Sequence, residues 1–369
     1  MSDWDKTMDL LFGFVTGHIH SRMFETILKF SICDLLEDGP KHYSEISKII
    51  GFKNESYCYR LMRYFVPYKL FNESVVQVGL FSKTPSSTQF SKNGTLKNLG
   101  RFHCQDHHYR IFESLPKTLE MGKNQGPSSI GLSSFWEHFE TDESYKQLFH
   151  NAMKDYTSLI IDRLISKISL SPNFKTVVDI GGSHGFLIGK LLESNPNIHG
   201  INFDLENIIN SSTSKNENFQ HPRLKHVSGD FFNSVPEADC YILKYILHDW
   251  SDEKCITILN NIHKSLKPNG KLFINDLVLD PSNYTKEAVF KDILMMQYFD
   301  AKERSINEWH QLFEKCGFKI DSVDTSISPQ LMIVSKINSS NINLNDCTNF
   351  NSEIVEEKLK NSLPQFVNC

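Results

Sequence analysis

The N-terminal part of the chain combines helical periodicity with two short β-type runs. Apolar residues recur every three to five positions over residues 8–37, and shorter amphipathic runs begin at Ser44 and Ser56. This spacing predicts three helices. The runs 75–78 and 88–90 then predict the two strands of a hairpin. Three helices followed by a hairpin indicate a small winged-helix domain.

The pattern changes further along the chain. The stretch after residue 96 is mainly helical, and from Lys175 short β-type runs alternate with helical stretches, which predicts an α/β domain with a parallel sheet. After Ile337 the sequence is rich in Asn and Ser, which predicts a disordered tail. We therefore expect four parts: a winged-helix domain over 1–95, a helical connector over 96–172, an α/β domain over 173–337 and the tail over 338–369.

Composition excludes several classes of protein. The 369 residues are 40% hydrophobic and 22% charged, as in a globular protein of about two domains. A formal charge of −5 argues against a general affinity for nucleic acid or for anionic membranes. No apolar run reaches the roughly 18 to 20 residues of a membrane span, and the N-terminus does not read as a signal peptide. Eight scattered cysteines favour reduced thiols, so we expect a cytoplasmic protein.

A glycine-rich turn is the strongest local signal. The β-type run 176–180 leads directly into Gly181-Gly182-Ser183-His184-Gly185 and then into a helical run. Glycines at such a turn allow a ligand to approach the backbone. The spacing is not the G-x-G-x-x-G of a dinucleotide site, which argues against NAD. A tight turn with nothing bound remains the alternative.

Polar and aromatic side chains follow the next three predicted strands. Asp204 ends the second strand and can accept hydrogen bonds from a ribose, whereas Asp230 and Phe231 follow the third and suit an adenine ring. His248 follows the fourth strand, where a histidine can act as a base near neutral pH. Ligands of open α/β sheets bind at this edge, so we expect the four residues to lie together.

The order of these motifs, from Asp179 through Trp250 to Lys302-Glu303-Arg304, closely resembles the plant-type small-molecule O-methyltransferases that use S-adenosylmethionine, over about residues 10–336. The resemblance implies a Rossmann-like methyltransferase domain with an N-terminal winged-helix dimerisation domain. It also implies S-adenosylmethionine as cofactor and S-adenosylhomocysteine as product. The acceptor would be a small phenol, including alkylphenones of polyketide type.

The resemblance further assigns roles to residues. Gly181 would contact the methionine end of the cofactor, Asp204 the ribose, Asp230 and Phe231 the adenine, and Lys244 the adenine side of the pocket. His248 would be the general base, and Asp276 and Glu303 would hold it. The acceptor pocket would be lined by Met153, Trp250, Met295, Met296 and Phe299. Packing in the hydrophobic core is the alternative explanation for these five residues.

Ser183 and His184 depart from the family pattern, because glycine and a small residue are frequent at these two places. No metal is expected: the histidine takes the role that Mg²⁺ has in catechol-type enzymes, and the group around His103 and His108 lacks two clean pairs of zinc ligands. The resemblance implies a homodimer, with neither nucleic acid nor membrane as partner.

A second interpretation belongs to a different class of protein. A ligand-sensing, DNA-binding regulator with a winged helix and a degenerate methyltransferase domain would use the basic residues between 41 and 69. The third predicted helix also carries several aromatic residues, which favours packing over DNA contact. The presence of His248, Asp276 and Glu303 argues against this alternative.

Overall fold

The computed structural model describes residues 3–213 and 219–337. The predicted tail over 338–369 therefore lies outside the described residues. No helix within the described part of the chain is both long and apolar enough to cross a membrane.

The N-terminal part packs helices against a small antiparallel sheet with strand order β1-β3-β2. Its buried core includes Ile27, Leu36, Ile46, Met62 and Phe81. Its elements are α1 (Asp3–Lys29), α2 (Ile32–Leu35), β1 (Lys41–His42), α3 (Tyr43–Ile50), α4 (Glu55–Tyr64), β2 (Phe71–Glu73), β3 (Leu80–Lys83) and α5 (Pro85–Gln89).

The two predicted strands of this part were wrong. Residues 75–78 lie in the exposed turn between β2 and β3, because the Ser74 hydroxyl accepts hydrogen bonds from the backbone of the two residues at 76 and 77. Residues 88–90 fall in and just after helix α5. Thr84 and Ser87 form a reciprocal capping box there, with a proline at the first helical turn, and this start signal outweighs the β-branched residue that suggested a strand.

A set of helices connects the N-terminal part to the sheet in the C-terminal part. The stretch after residue 96 is helical, as predicted, and its last helix begins where the Asp142 side chain accepts a hydrogen bond from the Tyr145 backbone and caps it. The helices are α6 (Lys97–His103), α7 (Asp106–Glu113), α8 (Leu115–Met121), α9 (Gly126–Ser129), α10 (Phe135–Thr141) and α11 (Glu143–Lys167).

The C-terminal part is a seven-stranded sheet covered by helices on both faces, with strand order β11-β12-β8-β7-β4-β5-β6. Its strands are β4 (Thr176–Ile180), β5 (His199–Asp204), β6 (Leu224–Ser228), β7 (Ala238–Lys244), β8 (Leu266–Asp276), β11 (Phe318–Asp324) and β12 (Gln330–Lys336). A separate parallel pair is β9 (Val278–Leu279) with β10 (Arg304–Ser305). The helices are α12 (Phe186–Ser194), α13 (Glu206–Thr213), a 3₁₀ turn (Leu247–Asp249), α14 (Asp252–Ser265), α15 (Lys286–Phe299) and α16 (Ile306–Lys315).

The sheet is mixed, which corrects the purely parallel prediction. Strands β4 to β8 pair in parallel, whereas β12 runs antiparallel to β8 and β11 antiparallel to β12. The middle strands are buried on both faces, as the unbroken apolar runs at 177–178 and 241–243 require. Strands β5 and β6 lie on one side of β4, whereas β7 and β8 lie on the other side, so the strand order reverses between β4 and β7. Ligands of such sheets bind beside this point, at the carboxyl ends of the strands.

Candidate active site

The predicted cofactor residues lie together at the carboxyl edge of the sheet. Gly181 directly follows β4, Asp204 is the last residue of β5, Asp230 comes shortly after β6 and Lys244 ends β7. These strands are parallel neighbours, so their ends share one edge.

Side chains of neighbouring residues pack closely against the two glycines that open the loop. Gly181 has a φ of +66°, and a Cβ there would lie 2.4 Å from the Ile246 side chain. A Cβ on Gly182 would lie 2.2 Å from Asn202 Oδ1. The buried Oδ2 of Asp179, beside this loop, has no hydrogen-bond partner among the described residues. The glycines are therefore required by close packing, whereas the buried polar atom without a partner fits a bound polar group of a ligand.

Asp204 is a half-buried carboxylate held by backbone amides. Ser183 N donates to its Oδ2 at 2.8 Å and Leu205 N to its Oδ1 at 2.7 Å. Burial raises the pKa of Asp204 to about 6, although the two amide bonds oppose the shift. Each carboxylate oxygen accepts one bond in the structure and has capacity for another, which fits a ribose hydroxyl pair.

Ser183, the departure in the glycine loop, is anchored by a neighbouring helix. Its hydroxyl lies 3.0 Å from Nδ1 of His150 on α11 and 3.0 Å from Nδ1 of His184. Its φ of 51° is in the left-handed region, where glycine would be unstrained. The loop therefore keeps the backbone path of a glycine turn while its serine side chain faces α11.

The predicted adenine side is formed by Asp230, Phe231 and Lys244. Asp230 Oδ1 accepts a hydrogen bond from Phe232 N at 2.8 Å, which fixes the turn. The Phe231 ring lies 6.0 Å, edge to face, from the Trp250 ring. Burial lowers the pKa of Lys244 to about 8, and Asp179 offsets part of that effect.

His248 sits in the 3₁₀ turn between β7 and α14 and is almost fully buried. Its Nδ1 is 2.7 Å from Glu303 Oε1, and its Nε2 is 3.4 Å from Asp249 Oδ1. Burial alone would lower the pKa of His248, but the carboxylates of Glu303, Asp249 and Asp276 outweigh it and raise the pKa to about 9.

The predicted contact between Asp276 and His248 is absent from the described part of the chain. Asp276 ends β8 and is fully buried, and neither of its carboxylate oxygens has a hydrogen-bond partner among the described residues. The carboxylates that lie within ion-pair distance of the ring are those of Glu303 and Asp249. Burial raises the pKa of Asp276 to about 7, and its influence on His248 is electrostatic.

Arg304, to which the sequence analysis gave no role, supports the backbone around His248. The side chain is fully buried. It donates to the carbonyl oxygens of Leu247 and Trp250, both at 2.9 Å, and to Asp252 Oδ1 at 2.8 Å. Adjacent residues thus hold the histidine: Glu303 binds the ring and Arg304 binds the turn.

Most of the predicted acceptor-pocket residues share one aromatic region. Met153, Met295 and Phe299 pack in the same cluster between α11 and α15. Trp250 joins it through Trp136, whose ring stacks on Trp250 at 4.8 Å and contacts Phe299 at 4.7 Å. Met296 is half-buried and lies outside this cluster. Trp136 was missed by the sequence analysis, because nothing in its local pattern marks it.

A polar network beside His248 was also missed. The Tyr245 ring lies 4.9 Å from the His248 ring, and its hydroxyl accepts a hydrogen bond from Lys291 Nζ at 2.8 Å. Lys291 also donates to the hydroxyl of Tyr156 at 3.0 Å, and Tyr156 donates to Glu287. The spacing of Glu287, Lys291 and the following Met295 at every fourth residue of α15 is the signal that could have found this face.

The histidine-rich segment considered for zinc serves packing. His108 is buried between the hydroxyls of Tyr298 and Tyr145. Over residues 3–213 and 219–337, no group of three or more His, Cys, Asp or Glu side chains is arranged to hold a metal ion.

Comparisons with known proteins match both halves of the chain. A family described as "O-methyltransferase domain" matches residues 112–319, and one described as "O-methyltransferase dimerisation domain" matches residues 9–93.

Two similar proteins come from Dictyostelium discoideum. "Probable inactive O-methyltransferase 11" is 61% identical over 331 residues, which cover 90% of this chain and 98% of that protein. "Des-methyl DIF-1 methyltransferase A" is 37% identical over 330 residues, which cover 85% and 89%. Human N-acetylserotonin methyltransferase, solved in complex with S-adenosylmethionine, has the same fold with a TM-score of 0.82 at 22% identity, covering 91% of this chain and 99% of that chain.

We expect Arg304→Met to lower the free energy of unfolding by about 3 kcal/mol or more, because buried carbonyl oxygens would lose their donors. The matched control is Lys302→Met, which removes the same charge from an exposed ion pair with Glu308 and should cost less than about 1 kcal/mol. Urea unfolding measures both. Equal losses would contradict the role given to Arg304.

Proposed function

The chain belongs to the plant-type family of S-adenosylmethionine-dependent O-methyltransferases, and we propose that it is an active member that methylates a phenolic hydroxyl of a small aromatic molecule. The observation that carries this proposal is the bond of 2.7 Å between His248 Nδ1 and Glu303, next to the edge where Gly181 and Asp204 lie.

We propose His248 as the general base. Glu303 accepts a hydrogen bond from Nδ1–H, so the lone pair of Nε2 is left to accept the proton of the acceptor hydroxyl. S-adenosylmethionine, when bound, supplies a methyl group that is activated by the positive charge on sulfur. Because the pKa of His248 is raised to about 9, the unprotonated base becomes more abundant as the pH rises from neutral toward 9.

The cofactor contacts are assigned from the positions of the residues at the carboxyl edge of the sheet. We propose that the backbone at Gly181 meets the methionine end, Asp204 accepts from the ribose hydroxyls, and Asp230 with Phe231 contacts adenine. Lys244 would lie on the adenine side. The unpartnered Oδ2 of Asp179 beside the glycine loop and the amide-held carboxylate of Asp204 support this arrangement.

The acceptor would lie against the aromatic region beside His248. Flat rings suit walls of methionine and aromatic side chains, and we assign this role to Met153, Trp250, Met295, Met296 and Phe299. The proposed acceptors include alkylphenones of polyketide type, as in secondary metabolism. A relative whose name states that it methylates des-methyl DIF-1 supports a small-molecule acceptor. We further propose that the protein acts in the cytoplasm.

One observation favours the alternative of a ligand-sensing regulator with a degenerate methyltransferase domain. A relative at 61% identity carries the name "Probable inactive O-methyltransferase 11". Against this, His248 keeps its bond to Glu303 and Arg304 keeps the turn in place. Methyl transfer by the purified protein separates the two proposals, because a regulator binds its ligand without turning it over.

We propose that the protein is a homodimer formed through its N-terminal part. In a single subunit, α1 exposes large apolar side chains, with Phe14 76% and Val15 73% exposed, and Trp4, Phe12 and Ile19 are exposed on the same helix. An apolar face of this kind marks an interaction site. The dimerisation domain matched at residues 9–93 contains most of it.

We expect His248→Ala to lower the rate of methyl transfer by about 10²- to 10⁴-fold, because the hydroxyl proton would lose its acceptor. The measurement is transfer of a labelled methyl group to a panel of phenols. Calorimetric titration with S-adenosylhomocysteine should show nearly unchanged binding to this variant.

Asp204→Ala should instead weaken cofactor binding. Its affinity for S-adenosylhomocysteine should fall by about tenfold or more, because hydrogen bonds to the carboxylate are lost. Undiminished transfer by His248→Ala would refute the base, and unaltered cofactor affinity of Asp204→Ala would refute the ribose assignment.

For the dimer, we expect the double variant Phe14→Glu with Val15→Glu to become monomeric, because two charges cannot be buried in an apolar interface. Light scattering should give the chain mass of 42.6 kDa rather than twice that value. The control is Val75→Glu with Val76→Glu, two residues that are 96% and 93% exposed in the turn between β2 and β3. Dissociation of both double variants, or of neither, would contradict the proposed interface.

A further inference from the structure

The proposed acceptor pocket has one cationic side chain among its apolar walls. Lys291 lies one turn before Met295 on α15, and Tyr156 lies one turn after Met153 on α11. Residues three or four apart share a helix face, so the lysine and the tyrosine continue the two faces that carry the pocket methionines.

The contacts of Lys291 are mostly with neutral groups. Its Nζ donates to the hydroxyl oxygens of Tyr245 at 2.8 Å and Tyr156 at 3.0 Å. Its ion-pair partner among the described residues is Glu287, 3.6 Å away. That carboxylate is shared, because it also accepts hydrogen bonds from Tyr156 and from Ser328.

The ammonium group faces the catalytic side of the pocket. Tyr245, which it contacts, lies against the ring of His248 at 4.9 Å. Glu303 and Asp276 both act electrostatically on Lys291, and Lys291 in turn acts on Asp249. The lysine is therefore close to the carboxylates that surround the base.

Burying a lysine here has an energetic cost. The side chain is only 18% exposed, and burial lowers the pKa of its ammonium group. The rings of Tyr245 and Tyr156, 3.9 and 4.1 Å from Nζ, offset part of this cost. An apolar side chain of similar size would cost less at a site of this kind, which points to a role in binding.

We propose that Lys291, which the hydroxyl oxygens of Tyr156 and Tyr245 hold in place, binds an ionised oxygen of the acceptor, so that the preferred acceptors are phenols that carry a second, acidic oxygen such as a carboxylate. This inference rests on the proposed function of the same site. It adds a specificity-determining residue that the apolar pocket alone does not supply.

Methyl transfer takes place at the other oxygen of the acceptor, that of the reactive hydroxyl. The reactive hydroxyl gives its proton to Nε2 of His248, and its oxygen forms the new bond to the methyl carbon. The carbon–sulfur bond breaks with its electron pair staying on sulfur. The second oxygen keeps its negative charge throughout and is neutralised by Lys291.

The test compares two compounds that differ by one charge. Calorimetry measures the binding of 3,5-dihydroxybenzoate and of its methyl ester to the full-length protein saturated with S-adenosylhomocysteine. We expect the acid to bind at least about tenfold more tightly than the ester, as a desolvated charge pair allows.

Four variants test which residue causes the difference in affinity between the acid and the ester. Lys291→Met should abolish the preference by weakening the acid and sparing the ester, whereas Lys291→Arg should keep part of it. Glu287→Gln should strengthen the preference, since it removes the competing carboxylate. Lys286→Met, an exposed lysine on the same helix, should change nothing. Thermal unfolding checks that each variant is folded.

The results that would overturn this inference differ from those that would overturn the proposed function. The inference is overturned if the wild-type protein does not prefer the acid, if neither compound binds, or if folded Lys291→Met keeps the preference. Should Lys291→Met fail to fold, a preference that is not strengthened in Glu287→Gln overturns it. Methyl transfer is scored separately: a preference in binding without transfer to any phenol refutes the proposed function alone, and transfer without a charge preference refutes the inference alone.

Discussion

The bond between His248 and Glu303 is the interaction on which the rest of the site depends. It joins the 3₁₀ turn after β7 to the residue just before the short strand β10, which is distant in sequence. The next residue, Arg304, binds the carbonyl groups on both sides of the histidine. Two neighbouring residues thus fix the ring orientation and the backbone that presents it, and a positioned base needs both.

This arrangement places unusual charge density inside the protein. Three carboxylates surround His248, and Lys244, Lys291 and Arg304 lie close enough to act on the same carboxylates. Burial of such groups is costly unless they are paired, so the cations and acids stabilise one another. The raised pKa of His248 is a direct result, because removing its proton leaves three acids facing one another with less positive charge between them.

Much of the site could be predicted because its residues follow strands in chain order. Gly181, Asp204, Asp230 and Lys244 each stand at the end of a β-type run, and parallel strands bring such ends together. The bond from Glu303 to His248 was expected from family resemblance. One failure has a local cause, because the capping box at Thr84 made a helix of a predicted strand. Asp276 acts on the histidine electrostatically and makes no hydrogen bond to it among the described residues.

Other features could not be read from local patterns at all. The stacking of Trp136 on Trp250 and the contact of Lys291 with Tyr156 and Tyr245 arise from packing of α10, α11 and α15 against the turn after β7. Periodicity shows which residues share a face of one helix, but not which faces of different helices meet. The antiparallel β11 and β12 were not distinguished for the same reason, since strand direction is set by the connection and not by composition.

The most direct measurement is the pH dependence of kcat/KM for one phenolic acceptor with the wild-type protein and with Glu303→Gln. If His248 is the base that we propose, its unprotonated form is the active one, so the rate should rise with pH, and the wild-type limb should rise through the raised pKa of His248, about 9. Removing one of the acids should lower that pKa and move the rising limb to lower pH by about one unit or more, at a reduced maximum. The acceptor titrates identically in both experiments, so any shift belongs to the protein. A limb at the same pH in both proteins would contradict the account of His248 as a base controlled by Glu303.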